Sequence, residues 1–118
     1  MNPFHLTVAK LTEGERLRLA RRRRGASQQA WADYCGVTLY RYRQWEADAE
    51  ETPKVHRAKL GKLHEHEACF MLRVRSGVPL RQLARRLGVT PNWLCEIEHG
   101  RQPAGRLVAY WQKKLDTR

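Results

Sequence analysis

The sequence predicts an all-α protein built from two tandem helix-turn-helix units of four to five short helices each, and three observations predict it. The stretch Gly25-Ala26-Ser27-Gln28-Gln29-Ala30-Trp31-Ala32-Asp33-Tyr34-Cys35-Gly36-Val37-Thr38 returns 52 positions later as Gly77-Val78-Pro79-Leu80-Arg81-Gln82-Leu83-Ala84-Arg85-Arg86-Leu87-Gly88-Val89-Thr90. Each copy is followed by a short helical segment closing on Trp45-Glu46 or Ile97-Glu98. No segment alternates apolar and polar residues with the two-residue period of a strand. A fixed internal period marks a repeated supersecondary unit, so the chain divides into residues 1–62 and 63–118, each with a modest core.

The first helix starts at Thr12-Glu13-Gly14-Glu15, where the Thr12 hydroxyl and the Glu15 carboxylate can satisfy each other's orphan amides. Leu17 and Ala20 lie on its inner side with the aliphatic stem of Arg24, while Arg16, Arg18, Arg21, Arg22 and Arg23 point to solvent or phosphate. Gly25 ends it. Ser27 caps a second helix whose inner side is Ala30, Trp31 and Tyr34 or Cys35. Gly36 then supplies the left-handed turn, Val37 fills the elbow and Thr38 caps the third helix, Leu39 to Glu46, anchored by Tyr42 and Trp45. Residues 47–52 are acidic and aperiodic, a loop, before Pro53 starts a fourth helix with Val55, Ala58 and Leu60 on its core side.

The second unit repeats this order. Ala68, Cys69 and Leu72 belong to its first helix, Gly77 breaks it, and Leu80 to Leu87 forms the next. Thr90-Pro91 starts the third, because proline at the first helical position gives up only an amide that has no helical partner. Leu94 and Ile97 anchor that helix, and Leu107, Val108, Tyr110, Trp111 and Leu115 mark a last one.

Charge narrows the partner. The 23 Lys and Arg residues outnumber the 12 Asp and Glu residues, for a formal +11, divided as +6 over residues 1–62 and +5 over residues 63–118. Two basic halves point to a polyanion; DNA, RNA and an anionic membrane surface all carry the required charge. No apolar run reaches the length of a membrane span, and the beginning of the chain lacks a basic leader followed by an apolar stretch, so the expected location is the cytoplasm, with the three cysteines reduced.

No clustered carboxylates, nucleophile with a placed base or phosphate-cradling glycine loop emerges, so enzyme activity is not expected. Cofactor and metal are not expected either: His64 and His66, two apart on a helix, should point apart, and Cys69 occupies the core position that Leu17 holds in the first copy.

The residues quoted so far resemble the Cro-like phage repressor family, the XRE type of helix-turn-helix. Its theme stands here as Arg18, Arg21, Gly25, Ser27, Gln28, Trp31-Ala32, Gly36-Val37-Thr38 and Trp45-Glu46, and again as Gly77, Leu83-Ala84, Gly88-Val89-Thr90-Pro91 and Ile97-Glu98-His99-Gly100. The resemblance covers roughly residues 12–115. It implies a sequence-specific, double-stranded-DNA-binding transcription regulator of a phage or mobile element in a bacterial cell, most simply a repressor occupying its operator. The third helix would enter the major groove, with the second across it.

Carried over residue by residue, the resemblance places Arg21 and Arg22 near phosphate and Gln28 on the backbone or bracing the groove-facing helix. Leu39, Tyr40, Arg41 and Gln44 would face bases and Arg43 phosphate. Arg41 suits guanine and Gln44 adenine, by the geometry of their paired donors and acceptors. The second copy departs from this pattern: Leu80 stands for Gln28, Trp93 for Arg41 and Glu96 for Gln44. Arg81 and Arg85 keep its second helix basic, so Asn92, Trp93 and Glu96 either read bases or meet a protein. RNA remains the competing partner, the second unit as a protein-association module the competing arrangement, and homodimerisation stays open.

Overall fold

The computed structural model describes residues 6–116. Among them there are seven α-helices and no strand, as the periodicity predicts: α1 (Glu13–Arg23), α2 (Gln28–Cys35), α3 (Leu39–Glu46), α4 (Glu65–Ser76), α5 (Leu80–Leu87), α6 (Pro91–Glu98) and α7 (Gly105–Asp116). No helix among the described residues is long and apolar enough to cross a membrane. Residues 7–62 form one compact unit; residues 63–116 form the other, and Leu6 groups with them.

In the first unit the starts and stops are local chemistry. The amide of Thr12 donates to Glu15 Oε1 at 2.9 Å and the amide of Glu15 to Thr12 Oγ1 at 3.1 Å, the reciprocal pair that begins α1. Ser27 and Thr38 accept from the amides of Ala30 and Arg41, starting α2 and α3. Between these helices Gly36 sits at φ 71°, as Gly88 sits at 70° between α5 and α6. That left-handed conformation costs a side-chain-bearing residue about 1 kcal/mol or more.

The core of this unit is Leu17, Ala32, Tyr42 and Trp45, with Trp31, Cys35, Val37 and Ala58 packed at its edge. Two inner positions expected of α2 are therefore corrected. Ala30 is exposed and Tyr34 is 83% exposed, while Ala32 is fully buried. The buried side of α2 is Trp31, Ala32 and Cys35, one position on from the phase assumed for Ala30, so that of the two alternatives Cys35 and not Tyr34 packs at the core.

The expected fourth helix from Pro53 is also corrected: only a 3-10 turn, Lys54–His56, forms, and the chain is extended again at Arg57. Val55 is 83% exposed. An amphipathic helix needs sizeable apolar side chains one turn apart, and after Val55 the chain offers only the small Ala58 three residues on and Lys59 four residues on. Local bonds hold the alternative conformation. Arg57 donates to the Thr52 carbonyl and to Glu51, Arg23 donates to the carbonyls of Leu60 and Lys62, and the His56 ring stacks on Trp45 with centroids 5.5 Å apart.

The second unit has the closing helix that the first lacks. Its core is Cys69, Leu83, Ala84, Leu94 and Ile97 together with Leu107 and Trp111 of α7. Burial, then the Glu98 and Glu65 carboxylates, push the Cys69 thiol up to about 12, which leaves it a protonated apolar filler. One further expectation is corrected here. His64 caps α4 instead of lying within it, so the helical spacing rule does not apply, and its ring stacks on that of His66 at 5.6 Å and 3°.

Candidate nucleic-acid interface

The α2–turn–α3 segment presents its polar residues on a rigid base. Tyr42 and Trp45 of α3 are 0% and 1% exposed, so the intervening and preceding residues must turn outward. Tyr40 is 73% exposed, Arg41 and Arg43 are exposed, and Leu39 and Gln44 are half-buried at the edges of the same helix.

Gln28, the first residue of α2, spans to α3 twice. Its Nε2 donates to Glu46 Oε1 at 3.1 Å, and its Oε1 accepts from Arg43 Nε at 3.2 Å. It is therefore a brace between the helices, one of the two roles expected for it. Arg43 is held by this contact at the exposed mouth of the α2–α3 angle.

Arg41 is held by a different neighbour. Its Nε and Nη2 lie 3.0 and 2.9 Å from Glu50 Oε1 in the loop after α3. Arg41 keeps 58% of its side-chain surface and Glu50 keeps 38%. An ion pair this wet is worth only about 0–1 kcal/mol, less than the roughly 1–3 kcal/mol of a bidentate guanine contact. The pair thus parks the guanidinium without locking it.

Arg21 does not join this surface. Its Nε lies 2.6 Å from Glu46 Oε2 and its Nη1 donates to the Ala26 carbonyl at 2.9 Å, with 15% of its side chain exposed. Glu46 is 6% exposed at its side chain and also accepts from the Tyr42 hydroxyl. Burial alone would raise the Glu46 carboxyl, but the donors Arg21, Tyr42 and Gln28 outweigh it and hold the group below its usual range. The reciprocal effect keeps Arg21 charged, its burial offset by Glu46. Burial and the Glu46 carboxylate push the Tyr42 phenol well up, so it remains a donor.

The Arg21–Arg24 run is thus largely structural. Arg21 lies in the interior, Arg23 binds carbonyls, Arg24 lies over the Trp31 ring at 5.6 Å and Arg22 is half-buried. A signal for this was present in the chain. Arg21 and Glu46 recur unchanged as Arg73 and Glu98, whereas Gln28, Tyr40, Arg41, Arg43 and Gln44 all differ in the second copy.

In the second unit the same inner clamp forms. Arg73 Nε lies 2.7 Å from Glu98 Oε2, its Nη2 donates to Oε1 at 3.0 Å and its Nη1 to the Val78 carbonyl at 3.1 Å. Outside it, Asn92 is exposed and Trp93 is 45% exposed on α6. Glu96 pairs with Arg101 at 3.2 Å, which neutralises the carboxylate that would repel phosphate. Arg81 and Arg85 are exposed on α5 and border a shallow notch of about 340 Å³ with Val89 and Pro91.

Residues 71–110, which span the second half of α4, all of α5 and α6 and the first half of α7, match a family model described as a helix-turn-helix domain. No curated protein and no solved structure matches the chain.

Proposed function

We propose that the protein is a sequence-specific, double-stranded-DNA-binding transcription regulator of the Cro-like, XRE type, with two tandem helix-turn-helix units. Its first unit reads bases with α3, and its most direct action is repression by occupying an operator in the cytoplasm of a bacterial cell. The observation that carries the reading is the outward row Tyr40, Arg41, Arg43 and Gln44 on a helix anchored by buried Tyr42 and Trp45 and braced by Gln28. The helix-turn-helix match over residues 71–110 supports the same role for the second unit. The formal +11 charge supports a polyanionic partner.

Within this reading the residues divide by task. Arg41 leaves Glu50 to contact a guanine edge, Gln44 reads the neighbouring pair and Tyr40 packs against the groove wall. Arg43 and, in the second unit, Arg81 and Arg85 meet phosphate, which sets register without reading sequence. Asn92 and Trp93 provide the second reading surface, with Glu96 accepting from a cytosine amino group when Arg101 releases it. Arg21 is no longer part of this assignment.

Selection from a random duplex pool followed by titration of the selected duplex and a scrambled one tests the proposal. Arg41→Ala should cost about 1–3 kcal/mol on the selected duplex and much less on the scrambled one. Arg43→Ala should weaken both alike and reduce the salt slope by about 1. Equal affinity of the intact protein for selected and scrambled duplexes would overturn the reading, and tighter binding to structured RNA than to any duplex would move it to RNA.

A further inference from the structure

The repeat supplies a template for a groove that the first unit leaves open. In the second unit α7 closes the core: Leu107 is 0% and Trp111 3% exposed, packed with Cys69 and Leu83. A separation of 52 residues places Val55 at the position of Leu107, Lys59 at that of Trp111, Leu17 at that of Cys69 and Trp31 at that of Leu83. Where the second unit has a helix, the first has one 3-10 turn and extended chain. What remains is a shallow groove of about 220 Å³ between α1, α2 and residues 55–59, where half-buried Ala20 and Trp31 lie beside a Leu17 already covered by the core, and Tyr34 and Val55 form the walls. No residue of α3 lines it, so it is separate from the proposed DNA-reading surface. Tyr34 and Val55, each 83% exposed, stand at its walls.

We propose that this groove docks an acidic amphipathic helix of a partner protein, which takes the place that α7 takes in the second unit. The shape argument is the repeat itself: the matching floor and wall in the second unit are covered by a helix carrying apolar side chains four apart, Leu107 and Trp111. A helix seated in a groove by apolar anchors at such spacing is a recurrent mode of recognition, and here Tyr34 and Val55 would meet those anchors inside a basic rim. The charge argument fixes the partner. Arg24 and Lys59 rim the groove together with Arg57, which pairs with Glu51, and no acidic side chain lines it. The protein's own α7 carries Arg106, Lys113 and Lys114, so the α7 of a second copy would bring like charges to that rim. Complementarity requires a helix whose apolar stripe is flanked by Asp or Glu. Docking there would let a partner bind while α3 stays uncovered.

The probe is a fluorescein-labelled peptide with the sequence of residues 105–116 carrying R106E, K113E and K114E, titrated against the full chain by fluorescence anisotropy. Saturable binding at micromolar concentration is expected, weakened by about tenfold or more with Tyr34→Ser plus Val55→Ser in the chain, because anchors in such grooves carry most of the affinity. Both positions are exposed, and an unchanged far-UV circular dichroism spectrum verifies that the variant folds. The peptide with the native basic residues should bind at least about tenfold more weakly than its acidic form. Absence of saturation would overturn the proposal. So would an affinity unmoved by the two serine substitutions, which would mean general attraction to a cationic protein. Tighter binding of the native basic peptide would overturn the acidic partner and assign the groove to a second copy.

Discussion

The two units share one framework and place their bulk differently. Leu17, Ala32, Tyr42 and Trp45 of the first core stand where Cys69, Ala84, Leu94 and Ile97 stand in the second. The first unit therefore fills its interior from α3 with two aromatic rings. The second has smaller residues there and obtains the missing volume from Leu107 and Trp111 of α7. Close-packed interiors tolerate such exchange because total volume is what must be kept. The exchange makes α3 of the first unit self-anchored and leaves a groove on its α1–α2 side.

The buried charge follows the same logic. Glu46 accepts from Arg21, Tyr42 and Gln28, whereas the repeat substitutes Leu94 and Leu80 for the last two. Glu98, 1% exposed, relies on Arg73. A second exchange lies beside it. Gly14 lies against the C-terminal end of α3, where an added Cβ would sit 2.5 and 2.6 Å from the carbonyl oxygens of Glu46 and Trp45. The loop residue Asp48, at φ 59°, caps α1 by accepting from the Gly14 amide at 2.9 Å. In the second unit the small residue has moved to the loop: Gly100 occupies the Asp48 position and His66 the Gly14 position, with the His66 ring against Gly100.

The sharpest way to break this comparison is at the closing helix. Trp111→Ala should destabilise the second unit by about 3–5 kcal/mol, while Lys59→Ala, its positional counterpart, should stay within about 0.5 kcal/mol. Hydrogen exchange on the full chain separates the two units, and equal effects would mean that residues 53–60 close the first core as α7 closes the second.

The clamp comes next. Arg73→Ala strands a buried carboxylate and should cost about 3–5 kcal/mol. Arg21→Ala leaves Glu46 with two donors and should cost nearer 2 kcal/mol, the scale of a hydrogen bond to a charged group. The same exchange profiles report both, and a larger loss for Arg21→Ala would invert the proposed order.

Gly14→Ala sets two effects against each other. Alanine improves helix propensity by about 1 kcal/mol, but the clash is with backbone oxygens that cannot swing aside, and overpacking costs about 1–3 kcal/mol. Net destabilisation of the first unit is expected in thermal melts. His66→Ala, which removes the ring stacked on His64 and lying against Gly100 without creating a backbone clash, should change the second unit less.

The smallest effect is a pH dependence. Because the folded Glu46 pKa lies below its unfolded value near 4.5, its contribution is complete above that value and is lost as pH falls through the folded one. Glu46→Gln should flatten the first unit's stability below about pH 4.5, read by denaturant titration at several pH values. An unchanged acid slope would assign the acid sensitivity to other carboxylates.

Much of the fold was legible because its signals are local. The capping box at Thr12 and Glu15, the Ser27, Thr38 and Thr90 caps and the Gly36 and Gly88 turns act within a few residues of themselves. The outward face of α3 was legible in part. Tyr40, Arg41 and Arg43 face outward because Tyr42 and Trp45 face inward, and helical spacing alone requires that. Arg21 was misplaced because its partner is 25 residues away, beyond any periodicity. The missing fourth helix was hidden because Pro53 is a good start signal, and the absence of an apolar residue at Lys59 weighs against it only when the repeat is read across to Trp111.

By itself, then, the chain determines an all-helical fold, the caps and glycine turns that bound α1 to α3 and α5 to α6, and which residues of α3 and α6 anchor them. Tertiary structure decides which arginines remain at the surface, that Glu50 holds Arg41, and that a helix closes one core while the other has only a 3-10 turn at the matching place. The division has one physical cause. Caps, turns and helical phase depend on neighbours along the chain, but the partner of a charge and the cover of an apolar face depend on what the turns bring together.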